Sequence, residues 1–470
     1  MSAPGDSADI AVLGGGPGGY VAALRAAQLG ARAILVEKDR VGGTCLNVGC
    51  IPTKALLTSA ELLLRAKRGS EFGLAIPQVS VDLSALMACK RKTVDQLVGG
   101  VEQLLKARRV TLVRGAARII RPDTLSVDDG QGGKREYSAQ RIILAPGSVT
   151  ATPPIAGSDL PGVITSTGAL DIDTVPARLV IVGGGVIGLE FACIYEALGS
   201  KVTVLEMTPA ILPGATDEAI AKRLHSLLRR RGLDVQTNAV VQRIEQNGGM
   251  LRVFAGTAGA ETTTECDRVL IATGRWPNTQ GMGFAELGLR MNGRAIAVDE
   301  RLATNLPNVW AIGDAIGGWM LAHKAMVDGR VAAENATGGQ RQVDYRSVPS
   351  VIFTRPEVAS VGLTESQARA AGVPIKVTQF PFSANPRARI FGETDGLVRL
   401  ICEAGSGRIW GVHMLGLHVT DLIAEGALAV QTGATADDLA WTTHAHPTLP
   451  EAMLEAALGF SGGALHVHAQ

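Results

Sequence analysis

Two stretches of this chain repeat one pattern, and that pattern constrains the fold more than anything else in it. Residues 9–19 read DIAVLGGGPGG and residues 178–188 read RLVIVGGGVIG. Each is a short apolar, strand-like run entering G-x-G-x-x-G and followed by an Ala-rich helical pattern. The glycines are Gly14, Gly16 and Gly19, then Gly183, Gly185 and Gly188. In both copies the next apolar strand ends in an acid, Glu37 after AILV and Glu206 after VTVL, each 23 positions beyond its first glycine. Such glycines let a pyrophosphate approach a helix N-terminus, and the acid meets a ribose hydroxyl. One copy alone is weak evidence, because a Gly-rich turn also serves merely to pack a helix on a strand. Two copies, each with strand, helix and acid in register, indicate two Rossmann-like dinucleotide-binding units.

The rest of the chain is organised around them. Its 470 residues suggest about three domains. With 46% hydrophobic and 19% charged residues, the composition is that of a globular protein with an ample core. The net charge is +1 and no basic block occurs, so nothing points to nucleic acid. Helical periodicity covers about 53–67 and 85–108, and alternating strands about 110–128 and 232–256. RIILAPGS (141–148) and RVLIATGRWPN (268–278) each read as a strand closing one module. NVWAIGDAIGG (308–318) is a further strand, ending at Gly313 and Asp314. Asp314 suits either a flavin ribityl contact or the N-cap of the next segment. Beyond about 347 come strands (348–354, 397–402, 408–414) and helices (364–371, 418–432, 449–458) without a nucleotide motif, a separate α+β domain. The divisions fall at 1–149, 150–275, 276–346 and 347–470, the third returning to the first module.

The most apolar run, residues 179–195, is interrupted by three consecutive glycines and by Glu190, which argues against a membrane span. The N-terminal MSAPGDSAD lacks a basic segment followed by an apolar one. The expected location is therefore the cytoplasm, or the mitochondrial matrix for a chain already processed.

Residues 42–54 read GGTCLNVGCIPTK. Cys45 and Cys50 flank a loop short enough to bring two sulfurs within disulfide range, although spacing does not prove the bond. A close pair in a chain without a secretion signal is usually redox-active or metal-binding, and less often a bland buried pair. Zinc spacing is missing, so no metal is expected. Pro52 suits an early helical position, and a cysteine at a helix N-terminus is a better leaving thiolate. The other four, Cys89, Cys193, Cys266 and Cys402, read as reduced, buried small hydrophobes.

These motifs resemble the pyridine nucleotide–disulfide oxidoreductases, flavoproteins with two dinucleotide sites, over nearly the whole chain. MLAHKAMVDG (320–329) and HAHPTLPE (444–451) are similar to segments of the dihydrolipoyl dehydrogenase branch. The resemblance implies FAD in the first module, NAD in the second, and a homodimer formed by the C-terminal domain. It makes Cys45 the interchange sulfur and Cys50 the charge-transfer sulfur. Lys54 is implied beside the flavin and paired with Glu190. Gly147, Gly313, Asp314 and Gly274 are implied as cofactor contacts. His446, oriented by Glu451, is implied as the acid/base acting on the other subunit's disulfide, with His444 structural. Ala145-Pro146-Gly147 departs from the usual Ala-Thr-Gly, and proline removes a backbone donor near FAD. Thr53 and Pro450 stand where serines are commoner.

The implied reaction oxidises dihydrolipoamide, carried on a lipoyl-bearing acyltransferase or carrier protein, with NAD as acceptor. The setting would be a 2-oxoacid dehydrogenase complex or a glycine-cleavage system. Neutral thiols need a base of near-neutral pKa, which histidine provides. Glu206 favours NAD over NADP, because Met207, Thr208 and Pro209 offer no cation to a 2′-phosphate. The alternatives are an NADPH-dependent glutathione-type reductase and a non-catalytic flavin- and NAD-binding scaffold.

Overall fold

Near-continuous apolar strands need cover on both faces, and parallel sheets between helices supply it. The computed structural model describes residues 7–257 and 259–467. Its first sheet is built on Ser7–Leu13, flanked in parallel by Ala33–Glu37 and Lys134–Leu144, with Thr111–Arg114 beyond Ala33–Glu37. Ile10, Ala11 and Val12 are fully buried there. Thr124–Asp128 and Ala116–Arg121 extend it antiparallel. Val309–Ala311 returns from far along the chain to pair in parallel with Ile142–Leu144. This pairing carries Gly313 and Asp314 back to the first module.

The second sheet is parallel throughout, in the order Asp234–Gln236, Lys201–Leu205, Arg178–Val182, Arg268–Ile271, Val163–Thr165. The antiparallel strands Val240–Asn247, Met250–Thr257 and Ala260–Cys266 lie beside it. The last of these, AETTTEC, escaped the sequence reading because its side chains are nearly all polar and exposed. The third sheet is antiparallel, in the order Ser350–Ile352, Glu357–Gly362, Ile409–Gly416, Leu397–Glu403, Ile375–Pro381. Helices Val419–Thr432 and Glu451–Ser461 pack on it around Val412, Met414, Ile423, Met453 and Ala456. Strands Glu357–Gly362 and Ile375–Pro381 were not expected; each adjoins a proline, Pro356 and Pro374, that reads as a breaker.

Two helices set the geometry of the first module. Pro17–Gln28 follows the first glycine turn, and Ala322–Ala336 lies against it. Their backbones touch at Gly18 and Gly329, where a Cβ on Gly329 would stand 2.3 Å from the Gly18 carbonyl. Cys193, Cys266 and Cys402 are buried, as expected of small hydrophobes, but Cys89 is exposed. It lies on the helix Leu83–Ala107, whose buried stripe is Met87, Val94, Val98, Val101 and Leu105, and it points away from that stripe. No helix among the described residues is long and apolar enough to cross a membrane.

Candidate active site

Both glycine turns open on one cavity of about 1700 Å³, well above the roughly 300–1,000 Å³ of an ordinary small-molecule pocket. Gly14, Gly16, Gly19, Glu37, Gly147, Gly313 and Asp314 line it from one module, and Gly183, Gly185, Glu206 and Gly274 from the other. Cys45, Cys50, Lys54 and Glu190 lie on its wall between the two.

The two cradles share one design. A Cβ at Gly19 would stand 1.8 Å from the Gly14 carbonyl, and one at Gly188 2.0 Å from that of Gly183, so helix and strand meet only as glycine. The helices begin at Gly16 and Gly185 without a side-chain cap, leaving backbone N–H groups for an anion. Glu37 accepts from Gly15 N–H at 2.7 Å and from Asp39 N–H at 2.9 Å. Glu206 accepts from Gly184 N–H at 2.6 Å and from Thr208 N–H at 2.8 Å, with the Thr208 hydroxyl donating at 2.8 Å. Each carboxylate is thereby fixed at the end of its strand before any ribose arrives. An uncapped helix start, a turn closed to any side chain and a fixed acid together suit a dinucleotide in each module.

Cys45 lies in the short helix Gly43–Val48 and Cys50 is the first residue of the helix Cys50–Lys67. Their side chains lie close enough for a hydrogen bond between the two sulfurs to set how each holds its proton. That bond, with burial, pushes the Cys45 thiol far above its ordinary value. The same bond, reinforced by the Lys54 charge, lowers Cys50 to about 7 against the opposing effect of burial. The pair therefore shares its protons unequally: Cys45 keeps its own, and Cys50 gives its up more readily than an ordinary thiol. Lys54 reaches Glu190, 4% exposed, at 2.7 and 2.8 Å. Glu190 also accepts from Phe353 N–H at 3.0 Å, and the Lys54 ammonium lies 4.7 Å from the centre of the Phe353 ring.

Asp314 is no helix cap. It lies inside the short 3₁₀ turn Gly313–Ile316, which has no side-chain cap, and it accepts from the Ser148 hydroxyl at 2.5 Å. Arg275 in turn donates to Ser148 Oγ and the Ser148 carbonyl, each at 2.7 Å, and to Thr44 Oγ at 3.3 Å. Behind Gly313 lies the buried pair Lys324–Asp328, 2.9 Å apart. Sequence reasoning assigned no role to Ser148, Arg275, Lys324, Asp328 or Phe353. The one available signal was the i,i+4 spacing of Lys324 and Asp328, which on a helix makes a pair. Pro146, which has no N–H to give, offers its carbonyl to the Asn278 amide at 3.2 Å.

His446 and Glu451 do not line this cavity. Their side chains meet at 2.7 Å, with Glu451 also accepting from Thr448 N–H at 2.6 Å. The His446 side chain is 70% exposed, so its second ring nitrogen faces outward. His444 is the contrary case. It is 5% exposed, and its two nitrogens meet Thr442 O at 2.8 Å and Glu425 at 2.9 Å. The single chain thus joins the cysteines, Lys54, Glu190 and both cradles, and sets the His–Glu pair apart on another face. Among the described residues no cluster suited to a metal ion occurs.

Comparison with known proteins agrees over the same extent. Residues 8–329 match the pyridine nucleotide-disulphide oxidoreductase family, and residues 348–457 match the dimerisation domain of that family. A dihydrolipoyl dehydrogenase of Geobacillus stearothermophilus is 41% identical over 463 residues, 97% of each chain. One from Pseudomonas aeruginosa is 43% identical over 462 residues, covering 97% of this chain and 98% of its own. The structure of a flavoprotein disulfide reductase from Escherichia coli, RclA, superposes with a TM-score of 0.85 at 31% identity, covering 96% of this chain and 99% of that one.

Proposed function

The chain belongs to the pyridine nucleotide-disulphide oxidoreductases, and from that premise we propose that it oxidises dihydrolipoamide to lipoamide with NAD as the electron acceptor. Membership implies FAD and NAD as cofactors and a homodimer. The observation that carries the reading is the Cys45–Cys50 pair beside Lys54 and Glu190, set between two dinucleotide cradles in one cavity. Residues 1–149 and 276–346 form the flavin module in this reading, 150–275 the nicotinamide module, and 347–470 the interface domain. The return of Val309–Ala311 to the first sheet supports that division.

Gly14, Gly16, Gly19, Glu37, Gly147, Gly313 and Asp314 would hold FAD. Gly183, Gly185, Gly188, Glu206 and Gly274 would hold NAD. When bound, the flavin supplies what no side chain can, accepting from a thiolate and giving a hydride.

The residues supply the thiol chemistry. His446 of the second subunit, held by Glu451, takes a proton from one substrate thiol, whose sulfur attacks Cys45 of the oxidised pair. The Cys45–Cys50 bond breaks, and Cys50 leaves as the thiolate that its environment favours. The second substrate thiol closes the substrate disulfide and expels Cys45, its proton passing to the Cys45 sulfur while the first proton stays on His446. Substrate loses two electrons and the cysteine pair gains them. Lys54 stabilises the negative charge on Cys50.

Glu206 supports NAD, because a carboxylate followed by Met207, Thr208 and Pro209, none of them a cation, receives ribose hydroxyls and repels a 2′-phosphate. The dithiol substrate would come on a lipoyl-bearing acyltransferase or carrier protein, in the cytoplasm or an equivalent matrix compartment. The test is an anaerobic assay of the yellow protein with dihydrolipoamide and NAD, beside glutathione disulfide and NADPH. Rapid NADH formation in the first supports the reading; activity in the second alone overturns both substrate and cofactor choice.

A further inference from the structure

Asp328 is fully buried on the helix Ala322–Ala336. A lone buried carboxylate is costly, so its partners mark what it holds. Three donors converge on it: Gly313 N–H at 3.0 Å, Lys324 Nζ at 2.9 Å and the Tyr345 hydroxyl at 2.7 Å. Lys324, 3% exposed, lies in the first turn of its helix, where the dipole disfavours a cation. Its ammonium is also 5.1 Å from the centre of the Tyr345 ring. Burial and Asp328 keep the Tyr345 phenol far above its ordinary value, so it remains a donor.

Tyr345 belongs to the segment that leads from the first module into the interface domain. That segment is fastened at two further points. Pro349 O meets His323 Nε2 at 2.7 Å, and Phe353 N–H meets Glu190 at 3.0 Å. His323, Glu190, Ser350, Val351 and Phe353 all line the cavity. From Asp328 the bonds continue inward: Gly313, then Asp314, Ser148, Arg275, and Thr44 beside Cys45.

We propose that Asp328 and Tyr345 are positioning residues for the redox site. Together they clamp the segment entering the interface domain to the Gly313–Asp314 turn and to the first turn of the Ala322–Ala336 helix. Asp328 receives the clamp at Tyr345 and transmits it at Gly313, which has a left-handed φ of 69°. The placement of the interface domain thereby fixes the wall facing the cysteines. The proposal rests on the flavin site assigned above and does not depend on the identity of the dithiol substrate.

The test is Tyr345→Phe in the full-length, flavin-loaded dimer, which removes one hydroxyl and keeps the ring under Lys324. The readouts are flavin retention on dilution, the flavin absorbance maximum, the long-wavelength thiolate–flavin band after reduction with one equivalent of dithiothreitol, and melting temperature. The band is expected to weaken or shift and flavin release to rise about tenfold or more, the worth of one hydrogen bond to a charged group. Asp328→Asn, which keeps the shape but not the charge, is expected to change the same signals in the same direction, more strongly. A lower melting temperature with unchanged flavin spectrum and retention in Tyr345→Phe would show a purely structural role and overturn the proposal. Full retention of every signal would overturn it equally. If the unaltered protein failed to oxidise dihydrolipoamide but gave a normal band with dithiothreitol, only the substrate assignment would fall.

Discussion

At the scale of single residues, the cysteine pair works by unequal sharing of one proton. Cys50, lowered to about 7 from a thiol's usual 9.0, is a thiolate above that value and a thiol below it. The long-wavelength band of the reduced protein should therefore be full above about pH 8 and lost as pH falls through about 7, read by anaerobic titration. Folding linkage has the same sign: the lowered thiol adds stability to the reduced protein as pH rises from about 7 toward the usual 9.0, and that stability is lost as pH falls through about 7. Lys54→Met should remove the band's stabilising charge and leave Glu190, 4% exposed, with only a backbone partner. A cost of about 3 kcal/mol in urea unfolding is expected. Lys54 and Glu190 were legible through the family resemblance, which pairs them. Arg275 and Ser148 were not, because their partners lie 127 and 166 positions away and no local pattern marks such meetings; of the bonds to Asp328 only the i,i+4 pair with Lys324 is local.

At the scale of elements, the strand–turn–helix units were legible because their chemistry is local. A turn that admits no side chain must be glycine, and a carboxylate that reaches back to that turn must end the next strand. The polar strand Ala260–Cys266 has no such signature, and only pairing with Met250–Thr257 makes it a strand. The two units can be tested separately. Gly188→Ala would place its Cβ 2.0 Å from the Gly183 carbonyl and force the second helix off its strand. The variant should stay yellow and dimeric but lose NADH binding, measured by flavin reduction with NADH against reduction with dithiothreitol. Gly19→Ala, at 1.8 Å from the Gly14 carbonyl, should instead purify without flavin.

At the scale of the molecule, the proposed function needs two chains, one supplying the cavity that holds the cysteines and the other the face that holds His446. His446→Gln alone and Cys45→Ser alone should each lose activity, by about 10²-fold or more for the histidine. Mixing the two after dissociation should restore about a quarter of normal turnover, since half the dimers are mixed and each has one intact site of two. Recovery absent from verified mixed dimers would place His446 outside the reaction. The separation of His446 from the cysteines was legible only through family resemblance, since spacing along a chain carries no information about a second copy. The paired cradles have a consequence of another kind. Glu37 and Glu206 make the same bonds at the same offsets, to Gly15 and Asp39 and to Gly184 and Thr208. The shared socket does not tell one dinucleotide from the other. Where the two copies differ is at the rim, in Lys38, Asp39 and Arg40 beside one and Met207 and Thr208 beside the other, and cofactor choice is expected to rest there. An exchange of appetite between the two would be drafted there, leaving the inherited glycines untouched.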